Sequence, residues 1–253
     1  MVVSSRSPAV IWHDLECGGY RADLPLWRRL AAREATGKTA RVLEIGAGTG
    51  RVALDLARRG HRVTALDRNS TLLAALVERA GGLPVETVCA DAREFALASD
   101  DRYDLCLVPM QTLQLLRGAS ERAALFACAK RHLRQGGVLA CAIVSEVDGF
   151  DSRAGAPGPA PERTRVGATM FMSRAVRVAR RERFVRIERE RLVFDDGAEQ
   201  TQQPIEHDLI ELEILDTAGL ARELEAAALS AERPRAIAAT EEHSASEVVI
   251  ARV

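Results

Sequence analysis

Seven residues, Glu44-Ile45-Gly46-Ala47-Gly48-Thr49-Gly50, carry most of the chemical information in this chain. An acid and an aliphatic residue end an apolar run, and glycines follow at every second position. The pattern predicts a buried strand that bends sharply into a helix. Glycine has no Cβ, so its backbone takes left-handed angles and lets a ligand approach closely. The first amides of the next helix then face that ligand. The chemistry is therefore cofactor binding. A dinucleotide site wants Gly-x-Gly-x-x-Gly. Gly46 and Gly48 fit it, but Arg51 occupies the third position and Gly50 falls one residue early. Glu44 would repel a pyrophosphate and suits a ligand carrying an ammonium group.

Hydrophobic periodicity supplies the elements that position this bend. Gly50 to Arg59 reads as a helix with Val52, Ala53, Leu56 and Ala57 on one face, stopped by Gly60. Arg62 to Leu66 is a strand ending at Asp67. Asn69 or Ser70 caps the following helix, which carries Leu72, Leu73, Leu76 and Val77. Glu86 to Cys89 is a third strand, followed by Asp91. Tyr103 to Val108 is a fourth, followed by Pro109-Met110-Gln111-Thr112-Leu113-Gln114. Ser120 is the expected start of a helix running to His132, and Val138 to Val144 is a fifth strand. A helix over about Pro25 to Ala35 precedes them all. Apolar strands alternating with amphipathic helices predict a parallel sheet covered on both faces.

The rhythm then changes. Phe150 to Pro161 is rich in Gly, Pro, Ala and Ser and reads as a mobile connection. Thr169 to Val178 and Arg183 to Phe194 read as a hairpin, with Asp195, Asp196 and Gly197 supplying turn chemistry. Ile205 to Leu215 has the period of a half-buried strand. These three form one small antiparallel sheet inserted into the parallel domain. Thr217 to Ala228 returns to helix, and Arg235 to Ala238 and Glu247 to Arg252 are the last strands. The expected organisation is an N-terminal flap and helix (1–38), a Rossmann-like α/β domain (39–149 and 216–253), and a loop plus antiparallel lid (150–215).

Composition narrows the function classes. The 253 residues carry a formal net charge of −1, so no global attraction to nucleic acid or anionic membrane is expected. No basic, aromatic-rich nucleic-acid module stands out. Cys17, Cys89, Cys106, Cys128 and Cys141 show no metal-type spacing, and a reduced cytoplasmic protein without a structural metal is expected. No signal peptide and no bilayer-spanning run are evident.

Several motifs now stand in a fixed order. Glu44 to Gly50 resembles the first motif of the class I methyltransferases that use S-adenosylmethionine. Asp67, closing the second strand, resembles their ribose-binding acid, and Asp91-Ala92 their adenine-binding pair. Leu133-Arg134-Gln135-Gly136-Gly137 resembles their Leu-x-Pro-Gly-Gly turn, with Gln135 in place of proline. The resemblance covers roughly Thr39 to Val144 and Thr217 to Val253. It implies a seven-stranded mixed sheet and S-adenosyl-L-methionine as cofactor. The backbone at Gly46, Ala47 and Gly48 would meet the methionine portion, and Glu44 would attract its ammonium. Asp67 would accept from both ribose hydroxyls. Asp91 would accept from the adenine amino group, with the Ala92 amide facing a ring nitrogen. Arg68 and Arg93 either flank the adenine or are plain surface arginines.

The acceptor is read from topology. In an open parallel sheet the ligand crevice lies beyond the carboxyl ends of the strands. Pro109 and Met110 should therefore face the transferred methyl group. Gln111 and Gln114 either orient a substrate or cap the following helix. If Arg235 to Ala238 is a sixth parallel strand, Thr240-Glu241-Glu242-His243 opens onto the cofactor edge, and His243 becomes a candidate base or orienting donor. Tyr20 precedes a helix that often covers the cofactor in related enzymes, which makes it a candidate contact. His207 depends on strand register, and Trp12, His13 and Asp14 lie in the same flap with less weight. No Asn-Pro-Pro-Tyr-type element follows the fourth strand, so a small-molecule acceptor in a covered pocket is expected. Oxygen, nitrogen or carbon could receive the methyl. Two rival classes remain: a noncatalytic cofactor-binding protein that dimerises through its antiparallel sheet, and a related aminopropyl-type transferase.

Overall fold

A computed structural model of the chain describes residues 7–97, 102–156, 158–195, 206–241 and 243–253. Helices α1 (Pro8–Cys17) and α2 (Leu24–Glu34) come first. Then follow β1 (Arg41–Ile45), α3 (Arg51–Ala57), β2 (Arg62–Asp67), α4 (Ser70–Ala80), β3 (Val85–Cys89), β4 (Tyr103–Val108), α5 (Gly118–His132) and β5 (Leu133–Ile143). Strands β6 (Phe150–Asp151), β7 (Glu162–Val166), β8 (Thr169–Arg180), β9 (Phe184–Asp195) and β10 (Glu206–Glu213) form a separate group. The chain closes with α6 (Thr217–Ala226), β11 (Ser230–Ala231), β12 (Arg235–Ile237) and β13 (Ser246–Arg252).

The main sheet runs β3-β2-β1-β4-β5-β13, with β11 and β12 both on the outer edge of β13. Strands β1 to β5 pair in parallel, and β13 is antiparallel to β5. Strand β12 is antiparallel to β13, so two reversals leave it running with β1 to β5. Its carboxyl end therefore opens onto the edge that holds the glycine bend. Alternate residues along each strand point to opposite faces. Val42, Leu105, Val138 and Val248 pack on one face against Trp27, Leu30, Ala53, Leu56 and Leu76. Leu43, Cys106, Leu139 and Val249 pack on the other against Leu125, Phe126, Leu220 and Leu224. The result is a Rossmann-like three-layer domain.

The second sheet is antiparallel, in the order β10-β9-β8-β6 with β7 also on β8. It has five strands where the sequence suggested three. The stretch after Phe150 is not loose: Phe150 pairs with Val178 and Asp151 with Arg177. Ser152 Oγ donates to Val176 O at 2.8 Å, and Gly158 packs under the Phe150 ring. Strand β7 escaped notice because Glu162, Arg163 and Arg165 leave it no apolar face. Helix α5 begins at Gly118 and not at Ser120, because the Glu121 carboxylate accepts the Arg117 amide at 2.8 Å. Asn69 caps α4 as expected, accepting from the amides of Thr71 and Leu72. Asp196, Gly197, Ile205 and Glu242 lie outside the described residues. Among the described residues, no helix is long and apolar enough to cross a membrane.

Candidate active site

The bend after β1 is held from below. The amides of Gly46 and Ala47 both donate to Leu66 O, and the Gly48 amide donates to Asp67 Oδ2 at 2.8 Å. Asp67 Oδ1 accepts the Asn69 amide at 2.9 Å. One carboxylate thus ties the bend to the end of β2. Gly46, Gly48 and Gly50 take φ of 76°, 54° and 93°, the left-handed region that favours glycine. A Cβ at Gly46 would strike the Thr112 side chain, and one at Gly48 the His13 ring. Both glycines are needed for close approach as well as for backbone shape.

Glu44 lies beneath the bend, 2% exposed. Its Oε2 is buried without a hydrogen-bond partner. Burial pushes its carboxyl up to about 8, against the pull of the Arg51 guanidinium. Arg51 itself is committed elsewhere. It grips Asp23 through two bonds of 2.6 and 2.7 Å and donates to Tyr20 O at 2.9 Å. Trp27 Nε1 donates to the same Asp23 at 2.8 Å. This buried pair explains Arg51, which the sequence offered only as a misfit to a dinucleotide fingerprint. Its partner Asp23 had no sequence signal beyond its place four residues before Trp27.

Tyr20 and His243 come from opposite ends of the chain and meet. Their rings lie 4.8 Å apart with an interplanar angle of 37°. The Arg51 guanidinium covers the Tyr20 ring at 5.3 Å, and the Tyr20 hydroxyl contacts Ser246 Oγ at 3.4 Å. Burial raises the Tyr20 pKa above its usual 10.0, so the group stays a phenol. The His243 amide donates to Thr240 Oγ1 at 3.0 Å, which fixes the loop after β12.

Other candidates fare differently. Gln114 is not free to orient a substrate. It is 3% exposed; its Nε2 donates to Val144 O and Glu213 O, and its Oε1 accepts the Val144 amide. Its amide is saturated clamping β5 to the root of β10. Asp91 lies beyond β3 on the cofactor edge, but Arg93 grips both of its oxygens, at 2.9 and 2.6 Å, and holds its pKa down to about 2. Arg93 bridges onward to Glu121, so it is a network residue. Arg68 is exposed. Ala92 is half-buried and Pro109 buried. Met110 holds φ of 54°, an uncommon conformation for a residue with a side chain, at the carboxyl end of β4. His207 pairs with Glu190 on the second sheet and lies outside this cluster.

Helix α1 lies over the bend. Thr49 Oγ1 donates to Asp14 at 2.7 Å, and Asp14 pairs with Arg79 of α4. The opposite side of α1 faces the second sheet. Trp12 meets Phe171 edge-on at 5.2 Å, and Glu16 binds Arg191 and Ser173. The remaining acids of that sheet are largely paired with arginine, including Glu162, Glu188, Glu190 and Glu211. Among the described residues they leave no strongly acidic pocket of the kind an aminopropyl transferase would want.

Residues 42–137 match the family described as a methyltransferase domain. Over this stretch, from β1 to the start of β5, the chain is similar to methyltransferase domains. Over 105 residues it is 34% identical to the cypemycin N-terminal methyltransferase of a Streptomyces species, a match spanning 42% of this chain and 41% of that enzyme. The chain thus matches less than half the length of this curated relative. Two solved structures share the fold over nearly the whole chain. One is a SAM-bound amino pentose methyltransferase from Micromonospora echinaspora (TM-score 0.68, 20% identity, 96% of this chain and 97% of that one). The other is a sugar N-methyltransferase from Streptoalloteichus (TM-score 0.70, 18% identity, 96% and 92%).

S-adenosylmethionine fits the residues present. The unpartnered Glu44 oxygen offers a site to an ammonium, and Asp67 stands at the rim of the glycine bend. One prediction follows from Glu44. Near neutral pH its carboxyl is mostly protonated, and an ammonium placed beside it favours the carboxylate. Binding of S-adenosylhomocysteine should release close to one proton. Calorimetry in buffers of different ionisation enthalpy measures this directly. Equal heats in all buffers would contradict the role, and Glu44→Gln should abolish the release.

Proposed function

We propose that this protein is an S-adenosylmethionine-dependent methyltransferase acting on an amine nitrogen of a small molecule, of the amino-sugar class. The reading rests on Glu44 and Asp67 at the glycine bend and on the Tyr20–His243 pair, whose loop follows β12 on the same sheet edge. The amino pentose and sugar N-methyltransferases similar to this chain extend over its second sheet as well as its main one, which supports an amine acceptor.

When bound, S-adenosylmethionine supplies an electrophilic methyl carbon whose sulfonium leaving group needs no proton. Glu44 would hold its ammonium and Asp67 its sugar hydroxyls. The glycine bend would hold the methionine portion, and alignment of donor and acceptor would provide much of the acceleration. An amine acceptor arrives partly as ammonium and must lose a proton to expose its lone pair. His243 takes that proton. Tyr20 packs against His243 and positions it. The second sheet, packed on α1, would cover the acceptor and exclude water.

The test is turnover on a panel of amino sugars, hydroxylated sugars and short peptides, read by product mass. A gain of one methyl on amino sugars, lost in His243→Ala with cofactor affinity preserved, is the expected result. Methylation of hydroxyls alone would overturn the amine assignment, and full activity of His243→Ala would overturn the role of His243.

A further inference from the structure

Helix α1 delivers an imidazole, His13, to the glycine bend. The His13 ring lies over Gly48 so closely that a Cβ there would collide with Nε2 and Cε1. Its tautomer follows from its neighbours. Thr49 Oγ1 gives its single proton to Asp14 Oδ1 at 2.7 Å, and Asp14 is fixed by two bonds to Arg79 of 2.9 and 2.5 Å. The same Thr49 oxygen lies 3.2 Å from His13 Nδ1. With the hydroxyl proton already committed, Nδ1 is the donor in that contact. The lone pair of the neutral ring therefore sits on Nε2, the nitrogen over the bend. Among the described residues, Nε2 has no hydrogen-bond partner.

The charged groups around the ring do not reverse this. Burial lowers the His13 pKa below 6.5; Asp14 and Glu16 on α1 and Asp67 at the end of β2 pull upward, and Arg79 on α4 pulls down. The net direction is down, so the ring is neutral near pH 7. An acceptor nitrogen thus stands at the glycine bend, within electrostatic reach of Asp67, the carboxylate assigned to the ribose.

We propose that His13 is a cofactor-binding residue, its Nε2 accepting a hydrogen bond from a hydroxyl of a nucleoside held at the glycine bend beside Asp67. The inference rests on the reading of this bend as an S-adenosylmethionine site. It adds a second acceptor beside Asp67. It also gives α1 a double contact, since the helix that carries His13 on one side carries Trp12 and Glu16 against the second sheet on another.

Calorimetric titration with S-adenosylhomocysteine tests this without turnover. His13→Asn keeps a polar atom near the Nδ1 position and loses the one over Gly48. His13→Gln reaches the Nε2 position with its amide oxygen. His13→Asn should bind about tenfold more weakly than wild type at about pH 8, the size of one hydrogen bond, and His13→Gln should recover much of the loss. Protonation of Nε2 removes the acceptor, so the ratio of wild-type to His13→Asn affinity should shrink toward one as pH falls below His13's lowered pKa. Glu44 titrates in both proteins and cancels from the ratio. A ratio near one at all pH values, or a ratio that grows on acidification, overturns the proposal. Should His13→Asn fail to fold by thermal denaturation, His13→Gln carries the test: wild-type pH dependence kept without the imidazole would overturn it equally. Absence of binding by the wild type would instead sink the cofactor assignment itself.

Discussion

Asp67→Ala should weaken S-adenosylhomocysteine binding by about a hundredfold. A carboxylate accepting from two hydroxyls makes charge-assisted bonds worth roughly 1.5–3 kcal/mol each, and about 1.4 kcal/mol corresponds to a factor of ten. The loss has a second source. Asp67 also holds the Gly48 and Asn69 amides, so its removal loosens the bend on which the cofactor would rest. Asp67→Asn is the milder change. It keeps one acceptor oxygen and should lose about tenfold. A dissociation constant for Asp67→Ala within twofold of wild type would reject the assignment of this residue to the ribose.

The second large effect is on stability. Arg122 is 3% exposed on α5 and joins three parts of the molecule. It donates twice to Glu223 of α6, both bonds 2.7 Å, and once to Glu213 at the end of β10, 2.9 Å. Glu213 also accepts from the Gly118 amide and from Arg183. The network fastens the antiparallel sheet where its chain re-enters the main domain. Arg122→Met would leave two carboxylates short of their counter-charge in a poorly solvated place, which costs about 3–5 kcal/mol. Urea unfolding should show that loss, and adding Glu213→Gln and Glu223→Met should recover most of it. A single variant within about 1 kcal/mol of wild type would contradict the account. The pH dependence has a definite sign. Burial raises the Glu213 pKa, but Gly118, Arg183 and Arg122 outweigh it and the net shift is downward from 4.5. Its contribution is therefore complete above the unfolded value and fades as pH falls through the folded one.

The main sheet was legible because its signals are local. Apolar runs of strand length, glycine stops and the Asn69 cap all lie within a few residues of what they specify. The bend was legible for the same reason: Glu44, Gly46 and Gly48 act through backbone shape that their own types dictate. What escaped depends on contacts distant in sequence. Gln114 looked like a substrate ligand because a polar residue stood among apolar ones, but its partners are Val144 and Glu213, 30 and 99 residues away. Tyr20 and His243 were each visible as candidates, while their stacking across the fold was not. Strands β6 and β7 were missed because one is too short and the other too charged to show a period. His13 drew little weight since nothing in the sequence places α1 over Gly48.

The bend after Ile45 would seat S-adenosylmethionine, with Glu44 beneath it and Asp67 at its rim. Isothermal titration of the intact chain with S-adenosylhomocysteine tests it most directly. The account predicts saturable binding near one equivalent per chain, with a proton leaving Glu44 as the ligand enters. A flat titration with folded protein would contradict it.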